Sequence, residues 1–253
     1  MNNHPAFSLQ RLWLLVRRSI RLDLTLWMTG FAAVAGMYFL LSLAVKALVN
    51  EEAVAYYGVT GMGLFIYTLG GYLMTSRMFQ ELHDPAGGYV LLTLPASPLE
   101  KFLSAWLISA PMYTLAALIT LMVAETGASG LASRLFDSQF HLFAPFEEHV
   151  RQQVVTYFGI QSVFLLGAVV FRKNNFLKTV LAVVVINVVL GLFFGAIMMA
   201  IMVVQPDFPA MLFGTEHMDI AIRYGSVAST LSLFLLMLGC LTIGYYRFVH
   251  RQL

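Results

Sequence analysis

Three short stretches of this chain hold residue types that could do chemistry. Gly127-Ala128-Ser129-Gly130 matches the pattern around an intramembrane serine nucleophile. Such a serine needs a histidine base within hydrogen-bond reach. The last apolar run, 226–246, has no histidine, and the motif is followed by Arg134 and Asp137 instead of an apolar helix. The stretch therefore reads as a flexible turn after a helix, which Gly and Ser suit. Glu147-Glu148-His149-Val150-Arg151 resembles a glutamate pair with a downstream arginine, but the arginine comes one residue early and Gln152 stands in its place. It reads as a charged helix start.

The third stretch, Ser97-Pro98-Leu99-Glu100-Lys101, carries physical information without suggesting catalysis. Ser97 is a suitable N-cap, Pro98 fits the first helical position, and Glu100 completes a capping box. A helix begins there. The six histidines, at 4, 83, 141, 149, 217 and 250, read as residues of loops and tails, and no paired-cysteine or H-E-x-x-H pattern occurs. No metal or other cofactor is expected. No G-x-x-x-x-G-K-[ST] occurs either, so the chain has no P-loop with which to hold ATP and is not expected to be an enzyme.

The elements that position these residues follow from composition. Charged residues make up 11% of the 253, against 59% hydrophobic, and mean hydropathy is +0.79. Soluble domains carry about 25% charged residues, so most of this surface must face hydrocarbon. In lipid the backbone must satisfy itself, which leaves helices or a closed barrel. The apolar runs are continuous and of helix-spanning length, not alternating. We expect an all-α, polytopic membrane protein forming one domain over 1–253. Its six spans are placed at about 26–49, 53–75, 103–124, 153–171, 177–204 and 226–246. Asn50, Glu51 and Glu52 leave room only for a tight hairpin between the first two.

Ahead of them, residues 7–23 form a basic amphipathic helix. Leu9, Leu12, Trp13, Val16 and Ile20 recur at helical spacing, with Arg11, Arg17, Arg18 and Arg21 on the other side. That pattern suits a helix lying in the headgroup plane of a membrane lipid surface. The Arg-rich stretch is too long for the start of a signal peptide, and no cleavable leader is expected.

With the N-terminus in the cytoplasm, Arg11, Arg17, Arg18, Arg21, Arg77, Lys101, Arg172, Lys173, Lys178, Arg247 and Arg251 fall inside. Only Lys46, Arg134, Arg151 and Arg223 fall outside. This asymmetry sets both termini in the cytoplasm of a cell (inner) membrane protein. The loop 76–102 is then cytoplasmic, with a turn at Asp84-Pro85-Ala86-Gly87-Gly88. The loops 125–152 and 205–225 are external. Phe136, Phe140, Leu142, Phe143 and Phe146 hold the first against the membrane face, and the apolar residues of the second, with Pro206 and Pro209, make it interfacial or re-entrant. The middles of the spans lack Asp, Glu, Lys, Arg and His. That argues against a proton-coupled transporter, and Lys46 near a helix end is expected to snorkel. Thr60, Tyr67, Thr68, Tyr113, Thr114, Gln161, Ser162 and Asn187 read as packing residues. Gly61, Gly63, Gly70 and Gly71 read as sites of close helix contact.

The loop after the second span carries a family resemblance. Glu81, Asp84, Gly87 and Gly88 precede Leu92-Thr93-Leu94-Pro95-Ala96-Ser97, followed by Glu100-Lys101-Phe102-Leu103. With the amphipathic helix and six spans, this resembles the permease subunits of ABC-2-type ABC exporters. The resemblance implies a subunit that forms a substrate pathway and pairs with a second permease subunit. A separate ABC ATPase would bind the ATP and drive it. Ser97, Pro98, Leu99, Glu100 and Lys101 would begin the coupling helix that meets that ATPase, with Arg11, Trp13, Arg17, Arg18 and Arg21 on the interfacial helix beside it. The loop departs from many relatives in having only Arg77 and Lys101 as basic residues. A non-transporting membrane scaffold or assembly factor fits the bland spans as an alternative. Neither reading involves nucleic acid.

Overall fold

A computed structural model describes residues 7–49, 51–80, 93–136, 143–205 and 215–252. Among these the chain is helical, without strands. In chain order the helices are α1 (Leu9–Leu22), α2 (Leu24–Leu48), α3 (Glu52–Thr75), α4 (Pro98–Leu107), α5 (Tyr113–Leu135), α6 (Glu148–Val170), α7 (Asn175–Val204) and α8 (Thr215–Gln252). A π-helical turn, Ile108–Met112, joins α4 to α5 without a break.

Among the described residues five helices are long and apolar enough to cross a membrane: α2, the continuous Pro98–Leu135 unit, α6, α7, and Val227–His250 within α8. Helix α3, the expected second span, is long enough at 24 residues, but Gly58, Gly61, Gly63, Gly70 and Gly71 dilute its apolarity. One face packs against α2, α5 and α6, and the other, with Tyr57, Phe65 and Leu73, is exposed.

The structure corrects the expected third span. Instead of ending near residue 124, its helix runs from Pro98 to Leu135, 38 residues. At 1.5 Å per residue it is about 57 Å long, more than a hydrocarbon core of about 30 Å, so it must project beyond it. Gly127-Ala128-Ser129-Gly130 is therefore helical and not a turn, with Ala128 and Ser129 fully buried. The expected external loop 125–152 shrinks to the segment between Leu135 and Glu148. Within it Phe143 is buried while Phe136 and Phe146 are exposed. Phe140 and Leu142 lie outside the described residues. Glu147 does act as a helix start, at the N-cap of α6. The expected 205–225 segment is helical from Thr215 onward, and 206–214 lie outside the described residues. So does the Asp84–Gly88 turn.

The core is built on tyrosines. Tyr38, Tyr67, Tyr113 and Tyr157 are all buried, and the hydroxyls of the last three find partners, as buried tyrosine ends usually do. The Tyr113 hydroxyl donates to the Tyr67 carbonyl (2.8 Å), Tyr67 Oη lies 3.0 Å from Thr114 Oγ1, and the Tyr157 hydroxyl donates to the Ser109 carbonyl (2.6 Å). Ser109 stands in the π turn beside Pro111, which has no N–H to give the helix ladder. Gln161 Nε2 donates to Ser109 Oγ at 2.8 Å, so α6 grips the irregular turn twice.

The glycines of α3 admit tyrosine rings, not neighbouring backbone. A Cβ on Gly63 would lie 2.8 Å from the Tyr38 ring, one on Gly70 would lie 2.7 Å from Tyr113 Oη, and one on Gly71 would collide with Tyr157. Gly61 faces open space, unlike the expected close contact. Around this core, α8 packs along α6, and α7 follows after a reversal at Asn174, whose φ of 54° an asparagine tolerates. Most of α7 is exposed in the single chain, as a helix apolar all round is when lipid or another chain is its solvent.

Candidate functional site

Residues Ser97 to Lys101 and helix α1 meet at one end of the bundle. The local part of the arrangement is the capping box. The Glu100 N–H donates to Ser97 Oγ (3.2 Å), and the Ser97 N–H donates to Glu100 Oε2 (2.8 Å), with Pro98 in the first helical position. The other carboxylate oxygen reaches across to the N-terminal segment. Oε1 accepts from the Ser8 N–H (2.6 Å) and from Arg11 Nε (3.2 Å), and Arg11 Nη2 lies 3.0 Å from it. Glu100 is fully buried, and these donors hold it as an anion. One side chain thus caps its own helix and locks a second helix onto it.

Each expected site residue takes a definite place. Ser97 and Pro98 are half-buried and Leu99 is exposed, so this turn presents a surface. Glu100 faces inward. Lys101, grouped with them in the sequence reading, is 6% exposed, unlike Leu99. On α1, Arg17 and Arg21 are exposed, Arg18 is half-buried, and Trp13 is exposed. The expected apolar stripe of α1 divides. Leu12 and Val16 pack into the protein, Ile20 is half-buried, and Leu9 and Trp13 stay outside. A helix docked on α4 must spend part of its apolar face there.

Beside this joint lies a cavity of about 720 Å³ between α1, α2, α3 and the Pro98–Leu135 unit. Trp27, Phe31, Tyr67 and Tyr113 form an aromatic wall, with Phe31 and Tyr67 each stacked on Tyr113 at centroid distances of 6.0 and 5.8 Å. Arg18, Arg77 and Lys101 line its α1 end with Asp23.

A second cluster lies at the opposite ends of α2 and α5, and sequence reasoning missed it. Lys46 does not snorkel. It is buried and paired with Glu125 and Ser129, while Ser42 Oγ donates to Glu125 Oε2 at 2.7 Å and Ser129 Oγ donates to Oε1 at 3.2 Å. The signal was present in the sequence: Ser42/Lys46 and Glu125/Ser129 are both four apart, so each pair shares one helix face. Taking 125 onward as a loop hid it. Lys46, Ser42 and Ser129 each bond Glu125.

The histidines are more helical than expected. His149, His217 and His250 fall within α6 and α8, and His149 Nδ1 lies 3.2 Å from Glu147. His4, His83 and His141 lie outside the described residues. Among the described residues no three His, Cys, Asp or Glu side chains come together as metal ligands. No protein-family model and no curated protein matches the chain.

Proposed function

We propose that this chain is the permease subunit of an ATP-driven ABC exporter of the ABC-2 type. In this reading α3 is a sixth span, both termini lie in the cytoplasm, and the bundle sits in the cell membrane. A second copy or related subunit completes the substrate pathway, and a separate ATPase supplies the work. The observation that supports this best is the double engagement of Glu100. A helix that begins with a capping box, and is bolted through the same carboxylate to an arginine of the N-terminal helix, forms a stiff unit continuous with a long apolar helix. Force applied at Leu99 would reach the Ile108–Met112 turn, which Tyr157 and Gln161 hold at Ser109, and pass from there along Tyr113–Leu135.

The test is reconstitution. An ATPase cross-linked from a cysteine at Leu99 is purified with this subunit in proteoliposomes, and hydrolysis is compared with that of the ATPase alone. The expectation is stimulation by the pair, lost in Glu100→Ala and Pro98→Gly. Identical hydrolysis with and without this subunit would leave a non-transporting scaffold as the better account.

A further inference from the structure

Lys101 is a buried basic group whose charge no described residue pairs. It is 6% exposed and lines the cavity beside α1. It has no hydrogen-bond or ion-pair partner among the described residues, whereas its neighbour Glu100 is committed to Arg11, Ser8 and Ser97. An ammonium withdrawn from water without a counter-charge is costly, and a ligand that brings the charge recovers that cost. Arg18 and Arg77 also line the cavity, and among the described residues Asp23 is the one carboxylate in its lining. The described lining is therefore net cationic. Immediately behind it the wall turns aromatic at Trp27 and Phe31, whose rings sit 5.7 Å apart.

We infer that this cavity binds an amphipathic anion: a compact phosphate or carboxylate headgroup against Lys101 and Arg18, with its hydrocarbon chain along Trp27 and Phe31. The volume, about 720 Å³, is that of a site for one such molecule. Basic pockets between membrane helices select anionic headgroups by this chemistry. A purely hydrophilic anion would leave the aromatic wall unused, and a neutral lipid would leave Lys101 uncompensated. The ligand could arrive from the bilayer as an anionic lipid or from water as a single-chain amphiphile. The inference does not depend on an ATPase driving the chain.

The test uses the full chain in phosphatidylcholine nanodiscs. Trp13→Phe and Trp106→Phe leave Trp27 as the sole tryptophan of three. Phosphatidylglycerol with brominated chains is titrated in, with brominated phosphatidylcholine as reference. The expected result is saturable quenching of Trp27 by phosphatidylglycerol above the reference, reversed by dodecyl phosphate but not by inorganic phosphate. Lys101→Met should raise the half-saturation about fivefold, and Lys101→Arg should restore it. Lys101→Met replaces an unpaired charge with an apolar chain of similar length, so folding is not threatened; Arg18→Gln, at a half-buried position, serves as a second variant. Quenching that requires the dialkyl lipid assigns the bilayer as source. Binding of dodecyl phosphate without phosphatidylglycerol assigns a water-borne amphiphile. Equal quenching by the two lipids with no dodecyl phosphate binding, indifference to both Lys101→Met and Arg18→Gln, or equal competition by inorganic phosphate would overturn the inference.

Discussion

Arg11 and Glu100 stand 89 residues apart in the chain, and their side chains meet at 3.0 Å. The contact joins α1 to the first turn of the Pro98–Leu135 unit. Removing Glu100 leaves two backbone N–H groups short of an acceptor and breaks the ion pair to Arg11, so Glu100→Ala should cost about 3 kcal/mol. Arg11→Ala alone leaves a buried carboxylate still served by Ser8 and Ser97, and should cost less. Thermal unfolding of the purified variants, with hydrogen exchange along α1, measures both. Faster exchange confined to α1 and α4 is the expected signature.

The Lys46–Glu125 pair makes a different prediction, because each charge is compensated only by the other and by hydroxyls. Lys46→Met strands a buried carboxylate and should destabilise by about 3–5 kcal/mol. The double variant Lys46→Met/Glu125→Leu should recover most of that loss, since two apolar chains then replace two charges. Chemical denaturation in mild detergent, run as a double-mutant cycle, reads the recovery. A double variant as unstable as the worse single one would mean that the pair is not compensating itself.

Ser129 belongs to this cluster as a hydrogen-bonding spacer. Ser129→Ala should cost about 1 kcal/mol and change nothing else the protein does. Any hydrolytic activity against membrane peptides that disappeared in Ser129→Ala would contradict that role.

The glycines of α3 separate by what faces them. Gly71→Ala drives a Cβ into Tyr157 and should destabilise by about 1–3 kcal/mol. Gly61→Ala meets nothing within 4 Å and should be neutral or slightly stabilising, since alanine favours the helix. Melting temperatures of the two variants in one detergent make the comparison.

Orientation can be read by labelling, with Cys240 replaced by serine because it is the single native cysteine. A cysteine at exposed Leu99 should react with a membrane-impermeant maleimide only from the cytoplasmic side. A cysteine at exposed Phe146 should react only from the other side. The reverse pattern would invert the topology drawn from the arginines and lysines.

Local physics was legible in the sequence. The capping box at Ser97–Glu100 is a relation between residues three apart, and Pro98 marks the first turn without reference to anything distant. Helical apolar runs show themselves because lipid leaves the backbone no other solution. The start of α6 at Glu147 and Glu148, and a helix within 7–23, found at Leu9–Leu22, are short-range patterns of the same kind. Tertiary structure decided everything that depends on which polar side chain finds which. Glu125, Thr126, Gly127 and Ser129 look like the start of a loop because polar residues are costly in an apolar helix. They stay helical because Lys46 and Ser42, about 80 residues earlier, satisfy Glu125 and Ser129. Lys101 turns inward and Glu100 turns toward Arg11 because adjacent helical residues point about 100° apart, and only the docked position of α1 determines which of them is neutralised.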